Sequence, residues 1–120
     1  MSAVSDSKTV SHITTHVLDS VKGLPAPGIA VQLSALRDGE WQLIAEAVTD
    51  ADGRAKQLGP EAVPAGTYRL HFDTGAYFAS SSTPTFFPEA LLTFVVDDEA
   101  RHYHVPLLLS PFAYSTYRGS

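Results

Sequence analysis

The chain alternates apolar and polar residues over short stretches, and turn-forming residues separate those stretches. Between His12 and Leu18, Ile13, Thr15 and Val17 fall on one face of a strand, and His12, Thr14, His16 and Leu18 on the other. The segment Lys22–Gly28, with Gly23, Pro25, Pro27 and Gly28, breaks pairing. Ile29, Val31, Leu33 and Ala35 form the apolar side of a second strand. After the turn Arg37–Glu40, Trp41, Leu43, Ala45 and Ala47 mark a third. Asp50-Ala51-Asp52-Gly53 predicts a tight turn, with Gly53 able to take a positive φ that other residues resist. Arg54 to Leu58 is at most a short edge strand.

Further on, Tyr68, Leu70 and Phe72 alternate with Arg69, His71 and Asp73, which predicts a half-buried strand. Thr74 to Ser82, free of alternation and of breakers, carries the one short helix. The apolar run Leu91–Val96 predicts a strand buried on both faces. His102–Ser110 and Ala113–Tyr117 supply the last two strands. Short strands at this spacing, with turns between them, predict an all-β sandwich of two sheets. Residues 11–120 form that domain, and the polar residues 1–10 read as a disordered extension before it.

Composition narrows the class. A chain of 120 residues, 44% hydrophobic and 18% charged, is one globular domain. Its net charge of -5 argues against nucleic acid and anionic membrane as partners, which leaves a small molecule. No apolar run approaches the ~20 residues of a membrane span, and no apolar leader precedes the domain, so a cytoplasmic location is expected. With 0 cysteines, disulfides, thiolate metal sites and cysteine nucleophiles are excluded. Phosphate loops, dinucleotide fingerprints and Gly-x-Ser-x-Gly elbows are missing as well.

The chemistry must come from histidine and arginine. His102 and His104, two apart on a strand, share a face, and His16 lies on the polar side of the first strand. A lone strand histidine is ordinarily a surface or satisfied core residue. Pro106, which has no N–H to give, marks an interrupted edge or a bulge just after the pair, where side chains are re-aimed. A His-x-His plus a third histidine is also how sheets hold zinc. No acidic or cysteine ligand is tied to His16, His102 and His104 by a local motif, so a metal-free acid–base role ranks above it. Asp50–Gly53 fails as a calcium loop because its glycine comes too early. Arg54 alone would be a solvated turn residue, and Tyr117-Arg118-Gly119-Ser120 a frayed tail. Against fraying, Leu107–Leu109 and Phe112–Tyr114 anchor the chain as far as Thr116.

These same residues resemble the transthyretin-like hydrolases that open 5-hydroxyisourate. The match runs from about Ser11 to Ser120 through His16-Val17-Leu18-Asp19, Gly23-Leu24-Pro25-Ala26 and Thr49-Asp50-Ala51-Asp52-Gly53-Arg54. It continues through Gly75-Ala76-Tyr77-Phe78, Phe87-Pro88-Glu89, His102-Tyr103-His104-Val105-Pro106-Leu107-Leu108-Leu109-Ser110 and Tyr114-Ser115-Thr116-Tyr117-Arg118-Gly119-Ser120. The ending is the most specific part. Hormone-carrying transthyretins share the middle strands but lack that ending and the two histidines.

The resemblance implies a transthyretin-like sandwich of about eight strands with one short helix. It implies hydrolysis of 5-hydroxyisourate to 2-oxo-4-hydroxy-4-carboxy-5-ureidoimidazoline in urate breakdown, without metal or cofactor. His16, Arg54, His104 and Ser120 would be catalytic, and His16, Arg54, Tyr117, Arg118, Gly119 and Ser120 would hold the substrate. It also implies a homotetramer, a dimer of dimers with active sites at the dimer–dimer contact, which a charge at Leu109 or Tyr114 should split. The alternative is a transthyretin-like carrier of aromatic ligands without hydrolase activity.

Overall fold

Strand pairing decides which of these segments become neighbours. The computed structural model describes residues 10–120. Its strands are β1 (Ile13–Asp19), β2 (Leu24–Pro25), β3 (Ala30–Arg37), β4 (Glu40–Val48), β5 (Arg54–Ala55), β6 (Gly66–Phe72), β7 (Ala90–Val96), β8 (Tyr103–Ser110) and β9 (Ala113–Thr116). One helix, α1 (Thr74–Ala79), lies between β6 and β7. The first sheet runs β2-β1-β8-β9, with β5 also paired to β1, and the second runs β4-β3-β6-β7. Residues 1–9 of the polar extension lie outside the described residues.

The inner faces follow the two-residue period of a strand. Ile13 and Val17 of β1 and Leu107 and Leu109 of β8 meet Val31, Leu33, Leu70 and Phe72 of the facing sheet, all at 1% exposure or less. Thr15 shares that inner face, and its hydroxyl donates to the Val105 carbonyl at 2.6 Å, which satisfies it in the core. The helix starts on Asp73, whose side chain accepts from Ala76 N–H. Tyr77 ties α1 to the end of β1 by donating to Asp19 at 2.7 Å; burial and that carboxylate push the Tyr77 phenol up to about 12.

Four expectations are corrected. Lys22–Gly28 does pair briefly, Leu24–Pro25 against Leu18–Asp19. Proline is tolerated there because this is a sheet edge. In β4, Leu33 faces Ala45 but Ser34 faces Leu43, so Ile44 is the extra residue of a bulge. The slip turns Leu43 outward, at 55% exposure, while Ile44, Ala45 and Ala47 pack on the core. β7 is an edge strand rather than a doubly buried one: Ala90, Leu92 and Val96 are buried, whereas Leu91 and Val95 are exposed. An antiparallel sheet needs cover on one face only. Leu109, at 1% exposure, belongs to the core and not to an outer contact surface. Among the described residues no helix is long and apolar enough to cross a membrane.

Candidate active site

The outer face of the first sheet gathers the polar residues. β1 sits between two partners, β8 in parallel and β5 antiparallel. Its register sets His16 opposite Arg54 on one side and Pro106 on the other. Two residues earlier on the same face, Thr14 stands opposite His104. An isolated bridge from Gly119 to His104 adds the end of the chain to that row. The β8–β9 ladder runs from Ser110↔Ala113 to Leu107↔Thr116, stops at Pro106, and resumes at His104↔Gly119. That is the interruption expected of a residue without an N–H. The Thr116 hydroxyl donates to the Pro106 carbonyl at 2.7 Å across the gap.

Arg54 owes its place to the turn before it. The Asp50 carboxylate accepts from Asp52 N–H at 2.9 Å and Arg54 N–H at 3.0 Å, an Asx turn. Those N–H groups hold the Asp50 carboxyl below its usual range. Gly53, at φ +74°, lies so close to β1 that a Cβ there would collide with the Val17 carbonyl. Val17 N–H donates to the Gly53 carbonyl at 2.7 Å, which fixes the turn on the strand. The chain therefore leaves the turn with Arg54 beside His16.

His104 is held on two sides. Its Nδ1 lies 2.9 Å from the Thr14 hydroxyl, which also lies 2.9 Å from Nε2 of His102. Gly119 N–H donates to the His104 carbonyl at 2.8 Å, and a Cβ on Gly119 would stand 2.7 Å from Cδ2 of the ring. Engagement of Nδ1 leaves Nε2 as the nitrogen available to a bound molecule. Thr14, Arg54, Lys56, His102, His104 and Ser120 line an open groove of about 360 Å³ here.

Burial, and next the Arg54 charge, lower the pKa of His16 from 6.5; the Asp52 backbone and the Asp50 and Asp52 carboxylates oppose them. His104 is lowered by burial, then by Arg54, His102 and His16. Both imidazoles are thus biased toward the neutral form, the form that accepts a proton. Arg54 and Lys56 make the groove locally cationic within a chain of net charge -5.

The register brings together His16, Arg54 and His104, and Ser120 lines their groove. Tyr117 and Arg118 border a second cavity of about 350 Å³, between β7 and the end of the chain, which His104 also lines. Arg118 stacks its guanidinium 4.7 Å over the Tyr103 ring. Thr14 and Lys56 were not singled out in the sequence. The signal for Thr14 was its position two residues before His16, on the same strand face. His12 is a structural histidine, 4% exposed, accepting from Val63 N–H and donating to the Arg101 carbonyl. His71 pairs with Glu89 at 2.7 Å on the outer face of the other sheet. Among the described residues, no three His, Asp or Glu side chains converge as a metal ion would need.

Comparison with known proteins adds lineage to this geometry. Residues 13–119 match the HIUase/Transthyretin family. A 5-hydroxyisourate hydrolase of Salmonella dublin is 49% identical over 109 residues, covering 90% of this chain and 80% of that one. The structure of Klebsiella pneumoniae 5-hydroxyisourate hydrolase superposes with a TM-score of 0.79 at 42% identity, over 90% of this chain and 98% of the other. Sea bream transthyretin in complex with thyroxine superposes with a TM-score of 0.85 at 42% identity, over 89% and 93%. Fold likeness therefore does not separate hydrolase from carrier, and that distinction falls to the side chains. With the family match spanning residues 13–119 and relatives of this identity, the chain belongs to the HIUase/Transthyretin family.

Proposed function

We propose that this protein hydrolyses 5-hydroxyisourate, opening a cyclic amide to the carboxylated ureidoimidazoline of urate breakdown. The observation that carries the reading is the strand register, which sets Arg54 against His16 and Thr14 against His104 on one outer face. Water is a poor nucleophile at neutral pH and needs a base, and a histidine lowered from 6.5 is mostly unprotonated there. One imidazole of the His16–His104 pair takes a proton from water as its oxygen attacks the amide carbon. The carbonyl oxygen becomes negative, and the Arg54 guanidinium stabilises it. The carbon–nitrogen bond then breaks, the proton is returned to the departing nitrogen, and the carboxylate is released. Tyr117, Arg118, Gly119 and Ser120 hold and orient the substrate in this proposal.

The proposal includes a homotetramer, a dimer of dimers. The face that carries the site continues into the half-buried pair Leu18 and Leu108, and Val21, Leu24 and Phe112 are exposed at 71%, 57% and 66%. A second subunit closing over this face would exclude water and strengthen the Arg54 interaction with an anion. It could also bring Tyr117 and Arg118, which line a separate cavity in the single chain, toward a shared site. The cytoplasmic location read from the sequence belongs to the same proposal.

A carrier reading draws on the likeness to the sea bream protein with thyroxine. Ultraviolet monitoring of freshly made 5-hydroxyisourate separates the two. Hydrolysis predicts decay well above the spontaneous rate; decay at the spontaneous rate, together with thyroxine binding by calorimetry, would leave the carrier.

A further inference from the structure

The Thr14 hydroxyl lies 2.9 Å from Nδ1 of His104 and 2.9 Å from Nε2 of His102, and it has one hydrogen to give. The two rings are its hydrogen-bond partners among the described residues, so that hydrogen goes to one imidazole and the hydroxyl accepts from the other. The two tautomers are locked together by that count. When Thr14 donates to His102, Nδ1 of His104 carries the hydrogen and Nε2 of His104 is bare. When His102 holds a proton on Nε2, Thr14 accepts it, turns, and donates to Nδ1 of His104, whose Nε2 then carries the hydrogen.

We propose that Thr14 and His102 are positioning residues forming a relay that switches His104 between base and acid during one turnover. The proposal rests on the hydrolytic reading above and assigns both proton transfers of that reaction to His104. In the first, Nε2 of His104 takes a proton from the attacking water. The Nδ1 hydrogen moves to Thr14 Oγ1, and the hydrogen of Thr14 moves to Nε2 of His102. His104 remains neutral throughout, and the charge resides on His102. In the second, Nε2 of His104 gives its hydrogen to the departing amide nitrogen. Thr14 returns its hydrogen to Nδ1, and His102 returns its own to Thr14. The relay ends as it began, with one proton carried from water to nitrogen.

The surroundings favour this route over a protonated His104. His104 faces Arg54 from β5 and His16 from β1, with Lys56 and Ser120 lining the same groove. An imidazolium there would be partly desolvated beside a guanidinium, and both effects oppose it. His102, by contrast, is exposed, so water solvates its charge. Thr14 is 5% exposed, which keeps bulk water from replacing its hydroxyl in the chain.

Nitrogen-15 NMR of ring-labelled protein tests the coupling without any turnover. As His102 titrates, the neutral His104 ring should pass from the Nδ1–H to the Nε2–H tautomer, and in Thr14→Val it should stop responding. Thr14→Val should also lose tenfold or more in kcat with KM nearly unchanged, and Thr14→Ser should recover most of it. His102→Gln, which accepts a hydrogen bond but no proton, should fall similarly and be partly rescued by added imidazole. A His104 tautomer indifferent to His102, or a fully active Thr14→Val, would overturn the relay even if the wild type hydrolyses its substrate. Intact coupling in a protein that hydrolyses nothing would instead remove the functional reading and leave the relay's geometry standing.

Discussion

Gly119→Ala is the sharpest perturbation the site allows, because it adds one methyl group where there is no space. The new Cβ would stand 2.7 Å from Cδ2 of His104 and 3.3 Å from its Cγ and its carbonyl oxygen. Nonbonded carbons settle at ~3.5–4.0 Å, so ring and backbone must separate by about 1 Å. Gly119 does not have a positive φ, so alanine meets no backbone strain, and the N–H that donates to the His104 carbonyl is retained. The whole cost therefore falls on the placement of the imidazole. A displacement of about 1 Å at a reacting group costs on the order of 10²-fold in rate. The assay is the ultraviolet decay of 5-hydroxyisourate under saturating substrate, paired with a thermal melt. We expect kcat to fall on that order while Tm shifts by less than about 3 °C, since Gly119 lies outside the inter-sheet core. A Gly119→Ala enzyme within twofold of wild type would show that the ring's position against the chain end is not what the reaction needs.

Other perturbations read different parts of the site. His104→Asn removes the titratable nitrogen and should cost ~10²-fold or more in turnover, whereas His71→Asn, on the other sheet's outer face, should stay within twofold; equal losses would contradict the face assignment. Arg54→Glu reverses the charge beside His16 and should raise KM and lower kcat together, and a change in KM alone would deny Arg54 its part in stabilising the transition state. Because burial and Arg54 lower both His16 and His104 from 6.5, the neutral base survives to lower pH, and the acid limb of kcat/KM should fall below 6.5; a midpoint above that value would contradict the electrostatics. Phe112→Glu puts a charge on an exposed apolar tip and should lower oligomer mass and activity in parallel, and light scattering showing a fully active monomer would remove the tetramer.

The alternation of Tyr68, Leu70 and Phe72, the stretch without alternation that becomes α1, and the Asp50–Gly53 turn were legible because each is set by a local rule: period two, its absence, and turn chemistry. The shared face of His102 and His104 was legible for the same reason, and the interrupted ladder at Pro106 followed from a missing N–H. What the sequence left undecided is everything that depends on partners distant along the chain. The apolar run of β7 is the same whether the strand is central or at an edge; only its place after β6 in the sheet exposes Leu91 and Val95. The bulge at Ile44 adds one residue to one strand, and no local pattern marks which face then inverts. Leu109 and Leu108 look equivalent as letters, yet one side of β8 is core and the other is the face of the site. The parallel pairing of β1 with β8 brings Thr14 to His104, and β5 on the opposite edge brings Arg54 to His16. The first contact joins residues nearly the length of the domain apart and the second joins separate strands, so their geometry exists only once the sheet has assembled on its core.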